Sequence, residues 1–269
     1  MSKISICMAL VAPLLPLCSG MAQSIAERVG AVKQGIVELH FASRPGACGD
    51  GRSFLSLGRS MRLGQSDASS GRDYAMACLA GPVRVRIRVQ DGVVSDLRTF
   101  VGPVRPRASD ATATDLGVVP ARDATDYFLH LAASASARPS DQAILPAVLA
   151  DSASVWRALL AIARDSASRS HATRNNAAFW LSRFAAARLD GHGEDLAAFE
   201  DADDDSDKND ARSSAVFALS QLRDREGIPP LMQVARTNKD AHVRRQALFW
   251  LGQSGDPRGL ALFEEILAQ

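Results

Sequence analysis

RRQALFWLGQSGDPRGLALFEEIL, residues 244–267, is the stretch on which the fold turns. Its apolar residues run to Leu251, break at Ser254-Gly255-Asp256-Pro257, and resume as Leu260, Phe263, Ile266 and Leu267, the spacing of one helix face. Asp256 is placed to cap this second helix, and Pro257 suits its first position, where an N–H has no partner to lose. Asp240 can cap the preceding helix in the same way, and Val243, Ala247, Leu248 and Leu251 define that helix's inward face. The unit therefore reads as helix, short turn, helix.

The unit recurs. Arg212, Ala215, Phe217, Leu219, Gln221, Asp224 and Gly227 reappear as Arg244, Ala247, Phe249, Leu251, Gln253, Asp256 and Gly259, a displacement of 32 (244 − 212). A looser copy holds Arg174, Ala177, Phe179 and Leu181, displaced by 38 (212 − 174). A period of this length means stacked supersecondary units, each lacking a buried face until a neighbour covers it. Small residues at Ala215 and Ala247 let helices approach closely, and the Asp-x-x-Gly element supplies a cap and a flexible turn. In such a stack Arg174, Arg212 and Arg244 form a ladder on one face, either pairing with acids of adjacent units or lining a ligand surface. Trp180 and Trp250 recur beside the repeat phenylalanines, with Trp156 in a neighbouring helix, and serve either inter-repeat core or a binding box.

These residues resemble the HEAT-repeat family, in the short bacterial form also found in phycobilin-lyase-like proteins. The resemblance covers about residues 119–269 and is strongest over 174–269. Leu160, Ile162, Ala163 and Arg164 are similar to Met232, Val234, Ala235 and Arg236, the second helix of a unit, and Arg122, Thr125, Tyr127 and Leu129 to a degenerate first helix. The resemblance implies an interaction scaffold, with enzymes and enzyme subunits a minority; it assigns no catalytic residue to this chain. The whole chain is also similar to secreted bacterial HEAT-repeat proteins with a cysteine-bearing front module.

That front module, residues 23–105, reads as β-rich. Ile36 to Ala42 is a strand ended by Arg44-Pro45-Gly46, and residues 43–81, rich in Gly, Ser, Asp and Arg, read as a long loop. Val83, Val85, Ile87 and Val89 alternate with Arg84, Arg86 and Arg88, the period of a half-buried strand; Asp91-Gly92 turns it, and Val93 to Val101 returns. A Gln90-Asp91-Gly92 loop would set Arg86 opposite Asp96 and Arg84 opposite Arg98. A two-residue turn would set Arg98 opposite Val85 and mix the faces. Residues 106–118 lack periodicity and read as a linker. The fold class is α+β: a small N-terminal β-rich module followed by a short all-α HEAT-like solenoid.

Residues 1–22 read as a cleaved secretory signal. Lys3 precedes the apolar run Ile4 to Leu17, and Gly20-Met21-Ala22 offers small residues before Gln23. The run is short of the roughly 20 residues a spanning helix needs. Cys18 offers a lipoprotein alternative, against which stands the bulky Leu17. Export to the periplasm or outside the cell is expected, and the mature chain then keeps Cys48 and Cys78, expected to pair.

Composition excludes little. Hydrophobic content of 46% and charged content of 23% are ordinary for a globular chain, and removing Lys3 leaves 30 basic against 30 acidic residues. Nothing in that balance argues for nucleic acid or an anionic membrane. Arg84, Arg86 and Arg88 form a stripe, with Arg98 alongside, that either binds a polyanion or is a solvated sheet face; no aromatic residues interleave, as a single-strand nucleic-acid surface would want. Asp201, Asp203 and Asp205 match the first ligands of a calcium loop, but Ser206 and Arg212 stand where glycine and a bidentate glutamate belong, so a solvated insertion is expected. His40, His130, His171, His192 and His242 show no metal spacing, and no nucleophile elbow or phosphate loop is present. The expectation is an exported, non-enzymatic protein-binding scaffold without cofactor, contacting its partner through Arg174, Arg212 and Arg244; the alternatives are an enzyme or enzyme accessory, and envelope polyanion binding.

Overall fold

The computed structural model describes residues 23–52, 54–58, 61–64, 78–104, 112–135, 137–151, 153–167, 169–193, 195 and 210–269. The expected leader and the acidic run 200–207 lie outside them.

Helix α1 (Ile25–Gly30) opens with a capping box: Ser24 accepts from the Glu27 amide and Glu27 from the Ser24 amide. A four-stranded sheet follows in the order β6-β5-β1-β7, built from β1 (Gly35–Phe41), β5 (Val83–Gln90), β6 (Val93–Val101) and β7 (Ala113–Val118). Residues 113–118, expected to be linker, instead pair parallel with β1. The strand is short and lies at the sheet edge, with Leu116 its one buried side chain, so it shows no alternation to read.

The segment 43–81 also departs from a simple loop. β2 (Ala47–Gly49), β3 (Phe54–Leu57) and β4 (Met61–Gly64) form a separate antiparallel sheet in that order. Cys48 and Cys78 are bonded, and next to them Gly49 and Leu79 exchange two backbone hydrogen bonds of 3.0 and 3.1 Å.

The β5–β6 register corrects the expected one. Asp91 and Gly92 both have positive φ, 53° and 75°, so the turn has two residues, with Gln90 opposite Val93. A bulge between Arg88 and Val89 then absorbs one residue and restores the faces: Arg88 lies opposite Asp96, Arg86 opposite Arg98, and Arg84 opposite Phe100. The inner face, Val37, Leu39, Phe41, Val83, Val85, Ile87, Val89 and Leu97, is fully buried.

That face packs on helices, so the two expected modules share one hydrophobic core. α2 (Ala121–Ser134) places Phe128 with its ring 6.0 Å from Phe41, and α3 (Ala137–Leu149) runs beside β6, where Gln142 accepts from the Leu97 amide. Arg44, buried after β1, ties the sheet to the helices: its amide donates to Leu149 at 2.7 Å, and its guanidinium donates to the carbonyl of Ala153 and lies over the Phe184 ring.

The remaining helices are α4 (Trp156–Arg164), α5 (His171–Leu189), α6 (Asp210–Ser220), α7 (Ile228–Thr237), α8 (Ala241–Gln253) and α9 (Pro257–Leu267). Asp240 and Asp256 cap α8 and α9 as expected, accepting from the amides of His242 and Arg258. Asp224, the repeat counterpart of Asp256, does not cap α7; it sits at φ 52° in a 3-10 turn, Arg223–Arg225. Repeat glycines Gly227 and Gly259 permit close approach: a Cβ at 227 would collide with the carbonyl oxygen of Leu219, and one at 259 would lie 3.0 Å from that of Leu251.

The helices do not stack in chain order. Units α6–α7 and α8–α9 are parallel copies: Arg212 meets Asp240 at their starts, and Arg225 meets Asp256 while Arg236 meets Glu265 at the two ends of α7 and α9. α8, however, lies against α5, and α9 reaches α4 through Arg164 and Glu264. The last unit is therefore inserted between α4–α5 and α6–α7. α5 also runs antiparallel to α8, because Asp190 at its end meets Arg244 and Arg245 near the start of α8, while Ala178 abuts Gly252 near its end.

Candidate functional site

This insertion creates a cleft. Arg183 from α5, Ser213, Ser214 and Phe217 from α6, and Gln246, Phe249 and Trp250 from α8 line a space of about 320 Å³. Its lining rings Phe217, Trp250 and Phe249 continue into a chain that ends at Phe179: Phe217 to Trp250 at 5.2 Å, Trp250 to Phe249 at 5.1 Å, and Phe249 to Phe179 at 6.4 Å. Arg183 stacks over Phe179 with 5.3 Å to the centroid. Phe217 is 48% exposed and adjoins the half-buried rings of Trp250 and Phe249, so the exposed apolar surface here is contiguous. The Oε1 atom of Gln246 is buried without a hydrogen-bond partner among the described residues. The cleft thus offers aromatic contact, one cation, two hydroxyls and an unmet acceptor.

The sequence placed aromatics at equivalent repeat positions, and the structure divides them. Trp180 is core, 2% exposed, whereas Trp250 is half-buried and faces the cleft. Ala247 is fully buried as a close-packing position, but Ala215 is exposed, because α6 is the outer helix of its layer among the described residues.

The expected ladder of Arg174, Arg212 and Arg244 does not form. Because α5 runs antiparallel to α8, Arg174 lies sixteen residues (190 − 174) before Asp190, the residue that Arg244 binds. That separation is about 24 Å along the helix axis. Arg244 and Arg245 share the Asp190 carboxylate and are only 19% and 18% exposed, so they hold α8 to α5. Arg212 stays 69% exposed and pairs with Asp240 at 3.3 Å, beside the cleft residues Ser213 and Ser214.

The arginine stripe of β5 also divides. Arg84 is buried: it pairs with Glu38 at 3.4 Å, donates to the Gly51 carbonyl at 2.9 Å and lies over the Phe100 ring. Arg84 is therefore a structural cation and not part of an anion-binding surface. Arg86 is half-buried against the same Glu38, and Arg88 is exposed.

The histidines are scattered. His40 Nε2 lies 3.3 Å from Glu38, and His171 and His242 sit in the first turns of α5 and α8. His130 lines a second cavity of about 580 Å³ with Asp123, Asp126 and Tyr127, between α1 and α2. Burial pushes the Tyr127 hydroxyl up to about 12, so it remains protonated at neutral pH. Among the described residues no group of three His, Cys, Asp or Glu side chains is arranged to hold a metal ion. The calcium-loop residues Asp201, Asp203 and Asp205 lie outside the described residues.

Residues 195–269 match the HEAT-repeat family, a span that contains both parallel units. This part of the chain is an array of HEAT repeats. A search of curated proteins and one of solved structures found no match to the chain. HEAT repeats generally mediate protein–protein interaction. The α4–α5 pair, against which the last HEAT repeat packs, lies outside the matched span. Among the described residues no helix is long and apolar enough to cross a membrane.

The cleft residues Arg183, Ser213, Ser214 and Gln246 carried no signal of their own in the sequence. What does mark the site is the repeat phenylalanine, which recurs at 179, 217 and 249 although Leu181, Leu219 and Leu251 already supply the apolar stripe.

Proposed function

We propose that this chain is a protein-binding scaffold whose contact surface is the cleft between α5, α6 and α8, with exposed Arg212 beside it. The observation that carries the reading is the ring chain ending in half-exposed Phe217, on an array of HEAT repeats. Aromatic anchors flanked by arginine are the groups that dominate protein interfaces. A space of about 320 Å³ suits one or two side chains of a partner segment. The preferred segment places an apolar or aromatic residue on Phe217, Phe249 and Trp250, a carbonyl or carboxylate on Arg183, and a backbone N–H on Gln246 Oε1.

The reading includes export. It is supported by the leader pattern of Lys3, Ile4 to Leu17 and Gly20-Met21-Ala22, and by the Cys48–Cys78 bond, which suits an oxidising compartment. The test is crosslinking of the tagged chain in its native envelope followed by mass spectrometry, with Arg212→Glu/Phe217→Ala as the comparison. One partner captured by the natural chain and lost in the variant supports the scaffold. Equal capture by both overturns the assignment of this surface.

A further inference from the structure

The outer face of the four-stranded sheet carries more positive charge than its own acids neutralise. Arg86 lies directly opposite Arg98, a cross-strand pairing of like charges that is destabilising by itself. Glu38, on the other side of Arg86, is already engaged by Arg84 at 3.4 Å, by Arg86 at 3.4 Å and by His40 at 3.3 Å. Asp96 is drawn toward α3, accepting from Gln142 Nε2 at 2.9 Å and lying 3.4 Å from Arg138 Nε. Its contact with Arg98 is long, 3.9 Å, and leaves Arg98 74% exposed. Among the described residues Arg88 has no ion pair, although Asp96 is its cross-strand neighbour.

These groups surround a definite cavity. Arg86, Arg88, Arg98 and Asp96, with Ile36 and Phe100 as apolar sides, line about 110 Å³. With Arg84 and the Glu38 that it shares with Arg86 included, four guanidiniums face two carboxylates, a surplus of two positive charges (4 − 2 = 2). Guanidinium forks match tetrahedral oxyanions and carboxylates through paired N–H donors. A doubly charged oxyanion both balances the surplus and relieves the Arg86–Arg98 repulsion. The space holds one such group; a polymer would need a continuous basic track, and with Arg84 buried under the β2–β3 hairpin the track ends at Arg86.

We propose that Arg86, Arg88 and Arg98 form a binding site for a single phosphate group, either free or as the phosphomonoester of a lipid headgroup. This site lies on the sheet and does not depend on the helical cleft.

The full mature chain is titrated with inorganic phosphate at constant ionic strength, with chloride as the balancing anion, and its melting temperature is followed. Arg88→Gln/Arg98→Gln is the test variant, since both side chains are exposed and the fold does not need them; Arg122→Gln/Arg223→Gln is the distant control. Expected is a saturable rise in melting temperature in the natural chain and the control. Affinity in the test variant falls at least about tenfold for each guanidinium removed. A parallel arm measures co-sedimentation with phosphatidylcholine vesicles with and without phosphatidic acid. Binding to the phosphatidic acid vesicles alone, lost in the test variant, supports the site with a headgroup as its source. No saturable response in either arm, or an equal response in the test variant, overturns the proposal. Binding of heparin but of neither phosphate probe overturns the single-anion assignment.

Discussion

Glu264 and Glu265 are adjacent in the chain and hold arginines on different neighbours, Arg164 of α4 at 2.5 Å and Arg236 of α7 at 2.6 Å. Successive helical residues point about 100° apart, so one helix can reach two flanking helices only if it lies between them. α9 therefore sits between a helix from before the repeat array and one from within it. Both pairs are exposed and each contributes at most about 1 kcal/mol; their value here is as markers of order.

The cleft separates stability from binding. Phe217→Ala removes a ring that is 48% exposed and should lower stability little, while abolishing partner capture. Trp180→Ala, at a position 2% exposed, should cost about 3–5 kcal/mol by leaving a cavity. Denaturant melts of both variants, read beside capture, check the division. Comparable destabilisation by the two would mean that Phe217 is core.

Asp256 combines a cap with a charge. Hydrogen bonding from Arg258, helped by the nearby charge of Arg225, holds its carboxyl below the usual range. A depressed carboxyl stabilises the fold above its unfolded value of about 3.9, and that stabilisation is lost as pH falls through the lower folded value. Asp256→Ala should cost about 1 kcal/mol at neutral pH, and Asp256→Asn less, because asparagine caps equally well. The difference between Asp256 and Asn should persist from neutral pH to about pH 4 and shrink below it. Chemical melts at a series of pH values read this directly.

The repeat glycines should respond unequally. A methyl at 227 meets the backbone oxygen of Leu219 head-on, whereas at 259 the carbonyl of Leu251 is 3.0 Å away and needs only a small shift. Gly227→Ala should therefore destabilise by about 1–3 kcal/mol and Gly259→Ala by less. Equal melting temperatures for the two variants would contradict the close approach at 227.

Replacing Cys48 and Cys78 by alanine should lower stability by roughly 3–4 kcal/mol, the loop-entropy value for a closure of about 30 residues. Reduction of the natural chain should give the same loss. The helical spectrum should survive at low temperature, because Leu55 and Leu57, the buried apolar side chains of this loop among the described residues, are a small part of the shared core and the repeat helices pack mainly on one another.

The helices of the last third were legible because their apolar period and caps are local: Asp240, Asp256 and Pro257 say where α8 and α9 begin whatever lies beside them. The neighbours of those helices were not legible. A period of 32 between Arg212 and Arg244 shows that two units are alike, but likeness does not state which surfaces meet, and the longer offset from Arg174 hid both the inserted unit and the reversed direction of α5. The β5–β6 hairpin was readable from its alternation, yet its register was not, because the bulge after Arg88 has no residue signature. Arg84 read as a surface residue because it shares a strand face with Arg86 and Arg88; the β2–β3 hairpin, invisible in a Gly- and Ser-rich stretch, covers it through the Gly51 carbonyl. The cleft was partly legible, in the recurring phenylalanines, while its polar lining depends entirely on the order of the helices.

The cleft exists only if α8–α9 lies between α4–α5 and α6–α7. Cysteines introduced at Arg164 and Glu264, with the Cys48–Cys78 bond left intact, should be joined intramolecularly by a short bis-maleimide, and the product identified by mass spectrometry of the digested chain. The structure predicts efficient linkage of 164 to 264 in the folded protein and its loss in denaturant. A folded protein in which 164 and 264 fail to link, as in a stack following chain order with α9 beyond α7, would contradict it.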